Sequence, residues 1–422
     1  MNSECIRYVS AARAGKAMFA ATALLSFTIS TQASDWPQWH GPNRNGISTE
    51  TGWSTSWPKA GLKAVWKAEI GAGYGTVSVS NGRLYVQGNT ADQDTVYCFD
   101  AATGKEVWKH TYACPAKDPQ GYNGIRSTPT VDGDNVYTTS RQGDLFCLDA
   151  AKGAVKWSKN FTKDFGGKVP TWGFAISPLV EGELLIVEPG GPGAAVVALK
   201  KESGEVVWKT GSDAAGYSSP VVFDLKGERC VVVLAAKTLV GRSVKDGKEL
   251  WRYPWKTSYD VNAATPLVDG TKIFISSGYN SGCALVDVGA TPPKEIWRNK
   301  NMRNHVNSCV LWKGYIYGFD EDELKCLDAA TGEVKWAEGK YGKGSVSIAD
   351  GKLLLYSKTG QLGLATPSSE GYKEIAFVTA LTVKPKYPGG AQTDTWAVPV
   401  LANGKIYCRS QDDLVCLDVS GK

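Results

Sequence analysis

Six stretches of the chain place a side chain capable of binding chemistry just before a short apolar segment. They are Arg126 before "STP", Trp172 and Phe174 before "ISP", Tyr217 before "SSP", Asn262 before "AATP", His305 and Asn307 before "SCV", and Trp396 before "AVP". Brought onto one axis, a cation, two amides, an imidazole and several aromatic faces would suit an anionic planar molecule or a peptide. The plainer reading is that such residues fill a channel with side chains and water. Asp260 and Asp394 are the acidic candidates for a calcium ligand or general base, and they are too few and too scattered to assign.

Other chemistries lack their residues. The chain has no Gly-x-Ser-x-Gly, no His-Glu-x-x-His and no Walker loop, so no catalytic nucleophile or catalytic residue is expected. With three His (His40, His110 and His305) and no Cys-x-x-Cys, a metal site is not expected either. Ten Cys are present, one of them, Cys5, in the N-terminal leader. Cys98, Cys147, Cys326 and Cys416 recur at one position of a repeat and read as small buried residues. Cys408 with Cys416, or Cys309 with Cys326, could form a disulfide. "NFT" at 160–162 is a glycosylation sequon only in a host that glycosylates.

The elements that would carry these residues are written in a repeat. "CFDAATGKEVW" ends at Trp108 and "CLDAATGEVKW" at Trp336, with related copies ending at Trp157, Trp208, Trp251 and Trp297 and a degenerate one that puts Phe377 in the Trp position. Consecutive markers lie 39 to 51 residues apart, a period that implies a propeller or solenoid. Within each period four short β-prone stretches are separated by tight turns, such as "DGD", "RQGD" and "AAKG" in the second, which makes one four-stranded blade. The last copy, "CLDVSGK", stops before its fourth strand, while "LKAVWKAEI" (62–70) is a fourth strand without a blade, centred on Trp66. The expected fold is all-β: an eight-bladed β-propeller of four-stranded blades, with the N-terminal strand closing the C-terminal blade. Trp66, Trp108, Trp157, Trp208, Trp251, Trp297 and Trp336 then read as structural, each packing against the next blade.

Repeats of the form Leu-Asp-Ala-x-Thr-Gly-x-x-x-Trp resemble the PQQ (pyrroloquinoline quinone) repeat, over residues 62–421. That repeat is shared by quinoprotein dehydrogenases and by the propeller of the outer-membrane assembly (Bam) complex. The segment "DWPQWHGPNRNG" (35–46) is similar to one that precedes such propellers in exported bacterial proteins, with Trp36 and Trp39 available to dock on the ring. The enzyme branch implies a quinone in the funnel with calcium, Trp172 or Trp396 as its floor and Arg126 as anion clamp. The adjacent-Cys pair and the Cys-x-x-Cys-His segment found among those enzymes are missing here. The assembly branch implies a non-catalytic scaffold for a protein or other cell-envelope partner, with no cofactor. A glycan binder using the same aromatic faces is the third alternative.

The N-terminus reads as an export signal. Arg7, Arg13 and Lys16 precede the apolar run 17–30, which is short of the roughly 20 residues that span a bilayer, and "TQA" follows with small residues. No Cys follows the run, so no lipid anchor is expected. The implied organisation is a signal peptide at 1–33, an extension at 34–61 and the propeller at 62–422, in the periplasm or secreted. Without the leader the net charge falls from +5 to +3. Lys and Arg are scattered, which argues against nucleic acid or a membrane surface as partner.

Overall fold

A computed structural model describes Met1 and residues 34–116, 121–383 and 395–421. The expected leader, Met1 aside, and Asp394 lie outside the described residues. Eight four-stranded antiparallel blades follow one another at 78–113, 130–160, 179–210, 221–254, 267–299, 310–338, 344–379 and 400–418, the last completed by strand Ala64–Glu69. That strand pairs antiparallel with Asp413–Asp418, Trp66 standing opposite Cys416. The ring is closed by its own N-terminal strand, as the split repeat predicts. Among the described residues no helix is long and apolar enough to cross a membrane.

The repeat letters each have a physical task. In "CFDAATGKEVW" the carboxylate of Asp100 accepts from the backbone N–H of Thr103 at 2.8 Å and from its hydroxyl at 2.7 Å, which fixes the turn. These donors hold Asp100 below the usual carboxylate range. Gly104 takes φ +72°, a conformation costly for any residue with a β-carbon. The same glycine carries a second constraint, because a β-carbon on it would stand 2.5 Å from the indole of Trp66 in the preceding blade. Gly153, Gly204, Gly247 and Gly332 stand in the same relation to Trp108, Trp157, Trp208 and Trp297.

Each marker indole also tethers its neighbour. Trp66, Trp108, Trp157, Trp208, Trp297 and Trp336 donate Nε1–H to backbone carbonyls of the next blade at 2.6–3.2 Å. Across its own hairpin the ring faces a small partner in most blades, Leu285 opposite Trp297 being the exception. Cys98 faces Trp108, Cys147 faces Trp157, Ala198 faces Trp208, Gly241 faces Trp251, and Cys326 faces Trp336. This is why cysteine recurs in the motif. All nine cysteines after Cys5 are buried and unbridged, so neither of the two pairs open to a disulfide forms one. The sequon asparagine, Asn160, instead caps helix Phe161–Phe165, accepting from the N–H groups of Thr162 and Lys163.

Candidate functional site

The central channel is closed at one end by the extension. Residues 36–50 touch all eight blades. Trp36 bridges to Val79 of the first, and the carbonyl of Pro37 accepts from Val131 N–H of the second at 2.8 Å. Buried Arg44 donates to the carbonyls of Ser177 and Pro178 in the lead-in to the third blade and of Pro220 in the lead-in to the fourth. Trp39 Nε1–H donates to Thr265 Oγ1 at the fifth, and Gly46 lies against Val310 of the sixth. Ile47–Ser48 adds a parallel strand to Gly344–Ala349 of the seventh. Glu50 accepts from the N–H groups of Asn403 and Gly404 in the eighth. Burial holds the Arg44 guanidinium down at about 9, and burial together with the Arg44 charge holds His40 at about 3.

At the other end the lead-ins to the innermost strands enclose a cavity of about 180 Å³. Arg126, Trp172, Tyr217, His305, Asn307 and Trp396 all line it. Phe174 and Asn262 do not. Successive side chains of an extended lead-in point to opposite sides, so Ala175 and Val261 face the cavity while their neighbours turn into the blades. Phe174 packs edge-on against Phe161, and Asn262 donates to the carbonyls of Ala235 and Ala236 while its Oδ1 accepts from Ser277.

Five aromatic or charged lining residues have no counterpart among the sequence candidates. Trp39 comes from the extension and forms part of the floor, Tyr122 lies on the connection to the second blade, and Tyr279 sits at a hairpin tip of the fifth. Tyr74 and Lys343 precede the innermost strands of the first and seventh blades. These last two stand on lead-ins of the same kind as the other candidates, in blades from which the sequence reading drew none.

The aromatic side chains form three groups around the mouth. Tyr74 stacks on Trp396 at 4.1 Å with Tyr122 5.0 Å from the same indole, Trp172 meets Tyr217 at 5.9 Å, and Tyr279 meets His305 at 4.6 Å. Arg126 lies 5.4 Å from the Tyr74 ring centre and donates to the carbonyls of Tyr122 and Gly124. Burial, then the charge of Lys343, lowers the His305 pKa, so the imidazole is neutral at pH 7. Burial raises the Tyr217 hydroxyl, opposed in part by the Trp172 backbone N–H and the Arg126 charge. No carboxylate is among the described residues that line the cavity. Asp260 pairs with Lys237 at 3.7 Å, and Glu321 with Lys343 at 3.5 Å from outside the lining. Among the described residues no three His, Cys, Asp or Glu side chains are grouped to hold a metal.

A family model described as outer membrane protein assembly factor BamB, built on the PQQ repeat, matches residues 48–126 and 92–338. The chain belongs to this family. BamB of Moranella endobia is 22% identical over 373 residues, covering 75% of this chain and 87% of that protein. Tetrathionate hydrolase of Acidithiobacillus ferrooxidans is 24% identical over 259 residues, 56% of this chain, and the match spans about half, 46%, of that enzyme. A europium-containing methanol dehydrogenase superposes with a TM-score of 0.65 at 14% identity, over 88% of each chain. That likeness is one of fold. A quinone with calcium needs carboxylate oxygens beside the ring, and the described lining of this PQQ-repeat propeller does not supply them.

Proposed function

We propose that the protein is a non-catalytic binding scaffold of the bacterial cell envelope, exported to the periplasm or secreted, whose open funnel mouth receives a protein partner. The observation that carries this is the chemistry of the mouth, whose described residues offer aromatic faces, Arg126 and Lys343 and no carboxylate pair. At its rim Tyr259 is 72% exposed and held at φ +62°, a conformation that is strained for tyrosine. Aromatic and arginine side chains concentrate binding energy at protein interfaces. Membership in the BamB family supports the same reading.

Photo-crosslinking in the living envelope tests it. A photoreactive residue at Tyr259 is expected to give one discrete protein adduct, and the same probe at Glu183, on the turn at the far end of an innermost strand, none. Equal patterns from both sites would refute a partner at the mouth. The quinoprotein alternative has its own measurement, calorimetry with PQQ and calcium alongside dye-linked alcohol oxidation. Saturable binding with dye reduction would replace the scaffold reading.

A further inference from the structure

A cut after "TQA" would make Ser34 the first residue of the exported protein, and Ser34 stands beside a buried carboxylate. In the uncut chain its backbone N–H donates to Glu50 Oε2 at 3.4 Å, a long and weak bond. Glu50 is 2% exposed. It also accepts from the N–H groups of Asn403, at 2.6 Å, and Gly404, on the turn between the first two strands of the eighth blade. Burial raises its pKa, opposed by the N–H groups of Gly404, Ser34 and Asn403 and, less than these, by the charge of Lys405. Among the described residues Glu50 is therefore held by neutral donors and has no ion-pair partner.

Asp35 fastens the same spot to the first blade. Its carboxylate accepts from Asn81 N–H at 2.9 Å and from the Ser80 hydroxyl at 3.2 Å, at the corresponding turn of that blade. Its other oxygen accepts from Asn403 Nδ2 of the eighth blade at 3.2 Å. Ser34 is thus placed where the first and last blades meet, with anchors on both.

Hydrolysis of the Ala33–Ser34 peptide bond changes the donor. Water adds across the C–N bond, the leader leaves with the Ala33 carboxylate, and the Ser34 nitrogen becomes an α-ammonium, charged near neutral pH. A charge-assisted bond is stronger than a neutral one, and a buried carboxylate gains most from a cation that it otherwise lacks. A cut one bond away would move the charge by about 3.8 Å, the spacing of neighbouring Cα atoms.

Taking the chain to be exported as proposed above, we infer that removal of the leader is also a maturation step of the fold: the new α-ammonium of Ser34 pairs with Glu50 and latches the first blade to the eighth.

The full-length chain, expressed with its leader and recovered from the envelope or medium, tests this. Its first residue is expected to be Ser34, and any other would overturn the cut at this bond together with the latch. With Ser34 first, acylation of the α-amine is followed on the N-terminal peptide by mass spectrometry. At pH 7 the amine is expected to react at least about tenfold more slowly in native protein than in urea, with its pH profile displaced upward, as a carboxylate partner requires. Glu50→Gln, which keeps an acceptor without the charge, should abolish the displacement. Urea unfolding gives a second readout. Glu50→Gln is expected to speed unfolding about tenfold in the processed chain and about threefold or less where Ala33→Leu retains the leader. An undisplaced pH profile in the unaltered protein, or equal effects of Glu50→Gln with and without the leader, would overturn the latch and leave export standing. Where a variant does not fold, the pH profile of the unaltered protein decides.

Discussion

The ring of Trp108 lies against Gly153 of the following blade, so close that a β-carbon on that glycine would stand 2.5 Å from it. Gly153→Ala must therefore displace the indole as well as hold alanine at φ +72°. Gly182, at φ +57° with nothing within 4 Å of its would-be β-carbon, separates the two effects. Urea unfolding is expected to show a loss of about 1 kcal/mol for Gly182→Ala and about 2–4 kcal/mol for Gly153→Ala.

Trp251 departs from its six counterparts. Its Nε1 has no hydrogen-bond partner, and the ring packs over Gly241 of its own blade. The fifth blade's turn, "GATPP" at 289–293, replaces the short "AATG" form. Trp208→Phe, which gives up the 2.9 Å bond to Val244 O, should then cost about 1 kcal/mol more than Trp251→Phe. Equal losses in thermal or urea melts would show that the tether contributes nothing.

Nine buried thiols should be silent in the native state. Burial pushes Cys147, Cys230 and Cys283 up to about 12, which leaves almost no thiolate at pH 8. A thiol-reactive dye is expected to label none of the nine in folded protein and all nine in denaturant without reductant. Fewer than nine after unfolding would reveal a disulfide.

Acid should weaken the plug through His40. Its folded pKa of about 3 lies below the ordinary 6.5, so between these values the unfolded chain binds a proton that the native chain refuses. The contribution is complete above pH 6.5 and declines by about 1.4 kcal/mol per pH unit on the way down, about 2 kcal/mol by pH 5. Asp94, which burial pushes up to about 6, works in the opposite direction, so the comparison must be by difference. His40→Asn, which tolerates the φ of +59° at this position, should show a smaller fall in urea stability between pH 7 and pH 5 than the unaltered protein. Parallel slopes would mean that the imidazole does not titrate with folding.

The fold was legible because its information is periodic. A turn that needs Gly, a ring that faces a small cross-strand partner and a split last copy are all local statements, and each recurs. The Gly against the preceding blade's Trp was not legible, since the contact joins positions in different repeats, such as Gly104 and Trp66. The funnel was read by position alone, and position fails by one residue wherever the lead-in alternates, as at Phe174 and Asn262. Trp39 could not be placed by any repeat rule, because it reaches the cavity from outside the repeat. The route of residues 36–50 past every blade is set by single anchors, Arg44 and Glu50 among them, whose partners lie far along the chain.

Ala64–Glu69 leaves the ribosome long before Asp413–Asp418, yet each is the other's neighbour. Seven blades can be assembled while synthesis continues, but the arc they form has a seam that only the final strands can zip. Until then two raw sheet edges face the surroundings, each able to template pairing with another chain. The vulnerable moment of this protein's life is therefore the interval before Asp413–Asp418 is made and the circle shuts.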